Sequence, residues 1–221
     1  MKIHFDEKLD TKPGAAIYSG LFLKIYNILV LVISNRFAWV CTTKTQLEFF
    51  NDNVTNNHLD VGVGSGYYMD NCKFPDVSTL KLTLLDYNIN CLNYAQAKLI
   101  RYKPNIIQGD IFLPIKTDCR FDSISINYVL HCLPGNLHDK GVVFANLKRL
   151  LNPNGVIFGC TILGNSAPRN KLATWLLTFY NKKGVFCNLA DNVELLDVVL
   201  RKYFNNVSIT VIGMVALFRV S

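Results

Sequence analysis

The residues of this chain best suited to chemistry stand in one run, His58-Leu59-Asp60-Val61-Gly62-Val63-Gly64-Ser65-Gly66-Tyr67-Tyr68. Glycine at 62, 64 and 66 lets the backbone take positive φ and lets a ligand approach the main chain without meeting a Cβ. A helix opening at about Ser65 would aim unpaired N–H groups and its positive dipole end into the turn, which suits a nucleotide or a carboxylate. The spacing is not that of the dinucleotide fingerprint G-x-G-x-x-G, which would need glycine at 67, where Tyr67 stands. Downstream, Asp86 closes the apolar run Leu80-Lys81-Leu82-Thr83-Leu84-Leu85. In an open α/β sheet an acid at the carboxyl end of a strand faces the crevice and can accept from both hydroxyls of a ribose.

The elements that must position these groups alternate along the chain. A strand ends at the glycine turn, and a helix follows it. Leu80 to Asp86 reads as a second strand, Asn90 to Arg101 as a helix, and Asn105-Ile106-Ile107-Gln108 as a third strand running into Gly109-Asp110. Phe121 to Asn127 is a fourth strand. Val143, Phe144, Leu147, Leu150 and Leu151 recur at helical spacing in the segment from Asn136, which closes at the turn Asn152-Pro153-Asn154-Gly155. Val156 to Ile162 is a fifth strand. This rhythm predicts a parallel sheet with helices on both faces. After a helix from about Val193 to Phe204, the runs Val207–Val211 and Val215–Val220 are joined by only Ile212-Gly213-Met214, a connection that permits an antiparallel hairpin and no parallel return.

Composition narrows the class. The chain has 221 residues, half of them hydrophobic and 18% charged, which predicts one globular domain over 1–221, with an N-terminal arm and helical lid over 1–50 and an α/β core over 51–221. The net charge of +7 comes from scattered Lys and Arg, the densest groups being pairs such as Lys148-Arg149, Lys182-Lys183 and Arg201-Lys202, so nucleic acid is not the expected partner. Seven cysteines, with no C-x-x-C, suggest neither a disulfide framework nor a metal site, and they fit reduced thiols in a cytoplasmic protein. The most apolar run, Ile25 to Asn35, is too short to span a bilayer and reads as a buried helix. Tyr18, Phe22 and Tyr26 share one face of the N-terminal layer, which packs on the sheet and, in part, lids the site.

The run D-x-G-x-G-x-G, with Asp86 after it and a parallel sheet closed by an antiparallel pair, resembles the class I S-adenosylmethionine-dependent methyltransferases. The resemblance covers residues 58 to 221 and implies a Rossmann-like, doubly wound, mostly parallel seven-stranded sheet with a C-terminal antiparallel hairpin. Asp60, Gly62, Gly64 and Gly66 match the family's first motif. Asp86 matches the acid that holds the ribose, and Tyr87 would flank the adenine. Asp110 would accept from the adenine amino group, and Ile111 would cover the ring. The segment Asn127-Tyr128-Val129-Leu130-His131 matches the one that lines the methionine end and the methyl group. Leu150-Leu151-Asn152-Pro153-Asn154-Gly155 looks like the family's leucine-lysine-proline-glycine-glycine turn, with Asn where the lysine and one glycine are usual.

What the resemblance implies chemically is transfer of a methyl group to O, N or C of an acceptor. A methyl sulfonium is already activated, so alignment supplies much of the acceleration. A base is needed only if the acceptor must lose a proton, and the candidates are His131, then Tyr18 and Tyr26. Residues 15–50 and 163–192 are rich in Tyr, Trp, Phe and Leu, walls suited to a small, largely apolar molecule. The stretch Tyr128-Val129-Leu130-His131-Cys132-Leu133-Pro134-Gly135 also looks like that of small-molecule, secondary-metabolite methyltransferases. The rival readings are an RNA or protein methyltransferase and a non-catalytic, cofactor-binding partner subunit.

Overall fold

A computed structural model describes residues 27–165 and 169–221, with side chains from residue 33 onward. The described elements begin with a π-wound helix α1 (Asn27–Ala38) and α2 (Thr43–Asn51), then β1 (Asn57–Val61), a one-turn α3 (Tyr67–Asn71) and β2 (Lys81–Asp86). There follow α4 (Ile89–Lys98), β3 (Asn105–Gln108), β4 (Phe121–Asn127), α5 (Leu137–Lys148) and β5 (Leu151–Ile162). The last elements are α6 (Lys171–Lys182), α7 (Val193–Arg201), β6 (Val207–Ile212) and β7 (Val215–Val220).

All seven strands form one sheet in the order β3-β2-β1-β4-β5-β7-β6. The first five run parallel, and β7 pairs antiparallel with both β5 and β6. The strand order reverses between β1 and β4, and a crevice opens there at the carboxyl ends of the strands. Central strands are buried on both faces, as a parallel sheet covered by helices requires: β1 and β2 are buried nearly throughout, whereas the edge strand β6 alternates. One core cluster joins Leu59, Ile124 and Ile157 to Phe144 of α5 and Leu196 and Leu200 of α7. The opposite face packs Phe158 against Phe50 of α2 and Leu92 and Ala95 of α4.

Helix starts follow the side chains ahead of them. Asn88, Asn136, Asn170 and Asn192 each cap a helix by accepting from a backbone N–H of its first turn, and Asn136 forms a reciprocal box with Asp139.

The structure departs from the sequence expectation in two places. The helix after the glycine turn begins at Tyr67 and not near Ser65, because Gly62, Gly64 and Gly66 all have positive φ and no helix can start before the last of them. The expected turn Asn152–Gly155 lies inside β5. Pairing at Phe121↔Leu151 and again at Ser123↔Val156 brackets it, and Asn154 at φ 65° takes up the irregularity.

Of the expected lid, the described part is docked on the sheet: Ala38, Trp39 and Cys41 are buried with Ile162, Leu177, Phe186 and Leu217. Within the apolar run expected to be a buried helix, Ser34 and Asn35 are buried while Ile33 is exposed. Tyr18 and Tyr26 lie outside the described residues. No helix among the described residues is long and apolar enough to cross a membrane.

Candidate active site

At the crevice a cleft of about 710 Å³, counting its open mouth, is lined by residues from five chain segments. Gly62 and Gly64 come from the turn after β1, Asp86, Tyr87 and Asn88 from the end of β2, Cys91 from α4, Asp110 and Ile111 from the loop after β3, and Tyr128, Val129, Cys132 and Leu133 from the segment after β4. Sequence separation is irrelevant here. Parallel register alone brings the ends together, with Val61 beside Leu85 and beside Ile126.

Each wall has its own support. The three glycines have φ of 70°, 51° and 69°. A Cβ at Gly62 would meet Val129 Cγ2 at 2.2 Å, whereas one at Gly64 would enter open space, its nearest neighbour being the Gly62 carbonyl oxygen at 4.0 Å. Gly64 is therefore where a ligand can rest on bare backbone. The Asp86 carboxylate accepts from Asn88 N–H at 2.8 Å and from Gly64 N–H at 3.4 Å. Burial raises its pKa. Asn146 of α5 donates to the Ile111 carbonyl at 2.9 Å, and Asp110 accepts from Phe112 N–H at 2.9 Å, so the loop after β3 is held shut against the core. Tyr87 stays exposed at the rim.

Asp60 and Asn127 stand one layer deeper, outside the lining. Asp60 is buried and accepts from Ser125 Oγ. Burial, together with the nearby charge of Asp86, pushes its pKa up to about 7, against the pull of the Ser125 hydroxyl. A cation brought near this carboxylate would favour its ionised form. The Asn127 amide nitrogen is buried with no hydrogen-bond partner among the described residues. Buried polar atoms are as a rule paired with protein, ordered water or a ligand.

These features fit S-adenosylmethionine: a bare-backbone turn for close approach, a strand-end acid able to accept from a ribose, and a carboxylate and an orphaned amide at the ends of β1 and β4. A family profile described as a methyltransferase domain matches residues 59–159. The chain is 38% identical over 212 residues to the physcion biosynthesis cluster O-methyltransferase of Aspergillus chevalieri, covering 95% of each chain. It is 33% identical over 207 residues to demethylluteothin O-methyltransferase of Streptomyces thioluteus, covering 93% of this chain and 90% of that one. The chain belongs to the class I S-adenosylmethionine-dependent methyltransferases. The fold agrees with solved structures of low identity. A CurJ carbon methyltransferase matches with TM-score 0.70 at 14% identity over 94% of this chain and 60% of that one. DhpI in complex with S-adenosylhomocysteine matches with TM-score 0.64 at 16% identity over 96% of each.

In this methyltransferase the expected base, His131, does not line the cleft. It is buried behind the wall, its ring 4.5 Å from Phe186 and 5.4 Å from Tyr128 between centroids, and Nδ1 accepts from Ile162 N–H at 3.3 Å. Burial, with the nearby Lys140 charge, pushes its pKa down to about 3, so it is a neutral packing group and a weak base. Tyr128, which the sequence placed only as one member of the segment lining the methionine end, has a more particular place. It lines the cleft in the left-handed region, at φ 56°, and its hydroxyl accepts from Gln46 Nε2 at 2.7 Å and donates to Asn35 Oδ1 at 2.8 Å. Strained backbone of this kind gathers at functional sites. No sequence signal singles out the partners of Tyr128, since Asn35 and Gln46 stand among other polar residues such as Ser34, Arg36, Thr42 to Thr45 and Glu48.

Proposed function

We propose that this methyltransferase moves the methyl group of S-adenosylmethionine to O, N or C of a small, largely apolar organic acceptor. The observation that supports it most is the near-complete, two-way overlap with relatives whose names describe small-molecule methyltransferases. The cleft wall of Tyr128, Val129, Cys132 and Leu133 supplies apolar surface of the matching kind.

When bound, S-adenosylmethionine supplies a methyl group already activated on sulfur, so the protein's task is alignment and exclusion of water. Asp86 would hold the ribose hydroxyls, Tyr87 would flank the adenine, Asp110 would accept from its amino group and Ile111 would cover it. Gly62, Gly64 and Gly66 would shape the turn, and Asp60 and Asn127 would serve the methionine end. With His131 buried and neutral, an acceptor that is nucleophilic without a base, or that ionises on its own near neutral pH, suits the cleft best. Seven free thiols accord with the reducing cytoplasm.

Calorimetry with S-adenosylhomocysteine, run on wild type and Asp86→Ala, tests the cofactor half. Labelled methyl donor with phenols, enols, amines and RNA tests the acceptor. Micromolar binding lost in the variant, with label on a small acceptor, supports the reading. Label on RNA alone, falling steeply with salt, overturns it.

A further inference from the structure

Beneath the glycine turn, four polar side chains lie on one face of the two central strands, where apolar packing would be the default. His58 stands opposite Ser123, and Asp60 stands opposite Ser125, while Ile124 and Ile126 between them point to the other face. His58, Ser123 and Ser125 are fully buried, and the His58 ring sits 5.6 Å from Phe50 and 5.9 Å from Phe158 between centroids.

These groups form one continuous chain. Thr55 N–H donates to Ser123 Oγ at 3.0 Å, Ser123 Oγ lies 2.7 Å from His58 Nδ1, His58 Nε2 lies 3.0 Å from Ser125 Oγ, and Ser125 Oγ donates to Asp60. Counting protons fixes its direction. When Asp60 is ionised it can only accept, so in that form the Ser125 proton points at it. Ser125 Oγ must then accept from His58, which places the imidazole proton on Nε2. Nδ1 of the neutral ring is left as an acceptor, and Ser123 fills it. Every donor from Thr55 onward points toward Asp60, and aligned hydrogen bonds polarise one another.

We propose that His58 is a positioning residue for cofactor binding: through Ser123 and Ser125 it keeps Asp60 a carboxylate of fixed orientation beneath the glycine turn, presented to the cationic methionine end of S-adenosylmethionine. The inference rests on the placing of Asp60 in the cofactor site.

A packing role and a positioning role separate on pH. The titratable groups facing Asp60 are His58 on its own strand, Asp86 from β2 and Cys72 after α3. Burial holds the imidazole neutral, and Asp86 opposes ionisation of Asp60. The donor chain is what favours the ionised form, so losing it moves ionisation to higher pH.

The test is calorimetric affinity for S-adenosylhomocysteine from about pH 5.5 to 8, with thermal melting alongside, on wild type, Ser125→Ala, Ser125→Thr, His58→Leu, His58→Gln and Asp60→Asn. Wild-type affinity is expected to rise with pH toward a plateau. Ser125→Ala and His58→Leu should move the midpoint up by roughly half to one pH unit, weakening binding about three- to tenfold at the acid end. Ser125→Thr and His58→Gln, which keep a donor, should hold the wild-type midpoint. An unshifted midpoint in Ser125→Ala and His58→Leu overturns the proposal, whatever happens to melting. If His58→Leu fails to fold, Ser123→Ala, which removes the partner of His58 Nδ1 and leaves the Ser125–Asp60 bond in place, takes its part: a raised midpoint supports the proposal and an unshifted one overturns it. Asp60→Asn separates the underlying reading: lost affinity keeps Asp60 in the site, and wild-type affinity removes it.

Discussion

Two alanine substitutions in the glycine turn should do opposite things, and their contrast tests what the turn is for. Gly62→Ala places a Cβ 2.2 Å from Val129 Cγ2 at a residue with φ 70°. The left-handed backbone costs about 1–2 kcal/mol for a residue with a Cβ. Overpacking against the stiff, β-branched Val129 costs about 1–3 kcal/mol more. Together that lowers the melting temperature by roughly 5–20 °C at about 2–4 °C per kcal/mol for a chain of this length. Gly64→Ala has φ 51° and open space around the new methyl, so only the backbone cost of about 1–2 kcal/mol applies. That methyl occupies the floor of the cleft. Affinity for S-adenosylhomocysteine should fall at least about tenfold, roughly 1.4 kcal/mol, in a protein that melts only slightly early. Adding Val129→Ala to Gly62→Ala should recover the overpacking share and leave the backbone share. Scanning calorimetry and titration calorimetry read both quantities. Wild-type affinity in Gly64→Ala would refute the idea that a ligand rests on this turn, and no recovery in the double variant would refute the clash.

Three further outcomes follow from buried groups. His131 is held well below the ordinary histidine value, so the unfolded chain binds more protons between about pH 3 and 6.5 and stability falls as pH drops through that window; His131→Gln should be less stable at neutral pH yet lose up to about 1.4 kcal/mol less per pH unit on acidification, read by urea unfolding. Lys140 and Asp191 form a fully buried pair at 2.8 Å, and Lys140 also donates to the Cys187 carbonyl at 2.6 Å; Lys140→Met should cost about 3–5 kcal/mol, with part returned by adding Asp191→Leu, and equal losses in both would argue against a stranded charge. Alkylation of the native protein should reach exposed Cys119 and Cys187 first, while Cys132, in the cleft wall, reacts slowly because burial pushes its thiol up to about 12; peptide mass spectrometry orders the sites.

Local chemistry made much of this protein readable in advance. The strand limits Asn105–Gln108 and Phe121–Asn127 follow from apolar runs bounded by turn residues, and the antiparallel end of the sheet follows from a connection too short for anything else. The position of the cleft was legible for the same reason: glycine spacing and a strand-end acid are constraints carried by adjacent residues. Parallel topology then delivers Gly64, Asp86, Asp110 and Ile111 to one cleft without further instruction.

Burial, register and tautomer are properties of the assembled sheet. His131 looks like a base when read beside its neighbours, and only the packing of Phe186 and the Ile162 N–H across the wall shows it to be neutral and enclosed. Tyr128 looks like one aromatic among many until its φ and its two partners from α1 and α2 are seen. His58 and Ser123 are 65 residues apart, and no pattern in either strand predicts that register will set them face to face. The sequence alone determined where the backbone lies bare at the cleft, because that depends on residue type at a turn. The tertiary structure decided which side chains meet and in what charge state, because desolvation and hydrogen-bond direction exist only once the strands are paired.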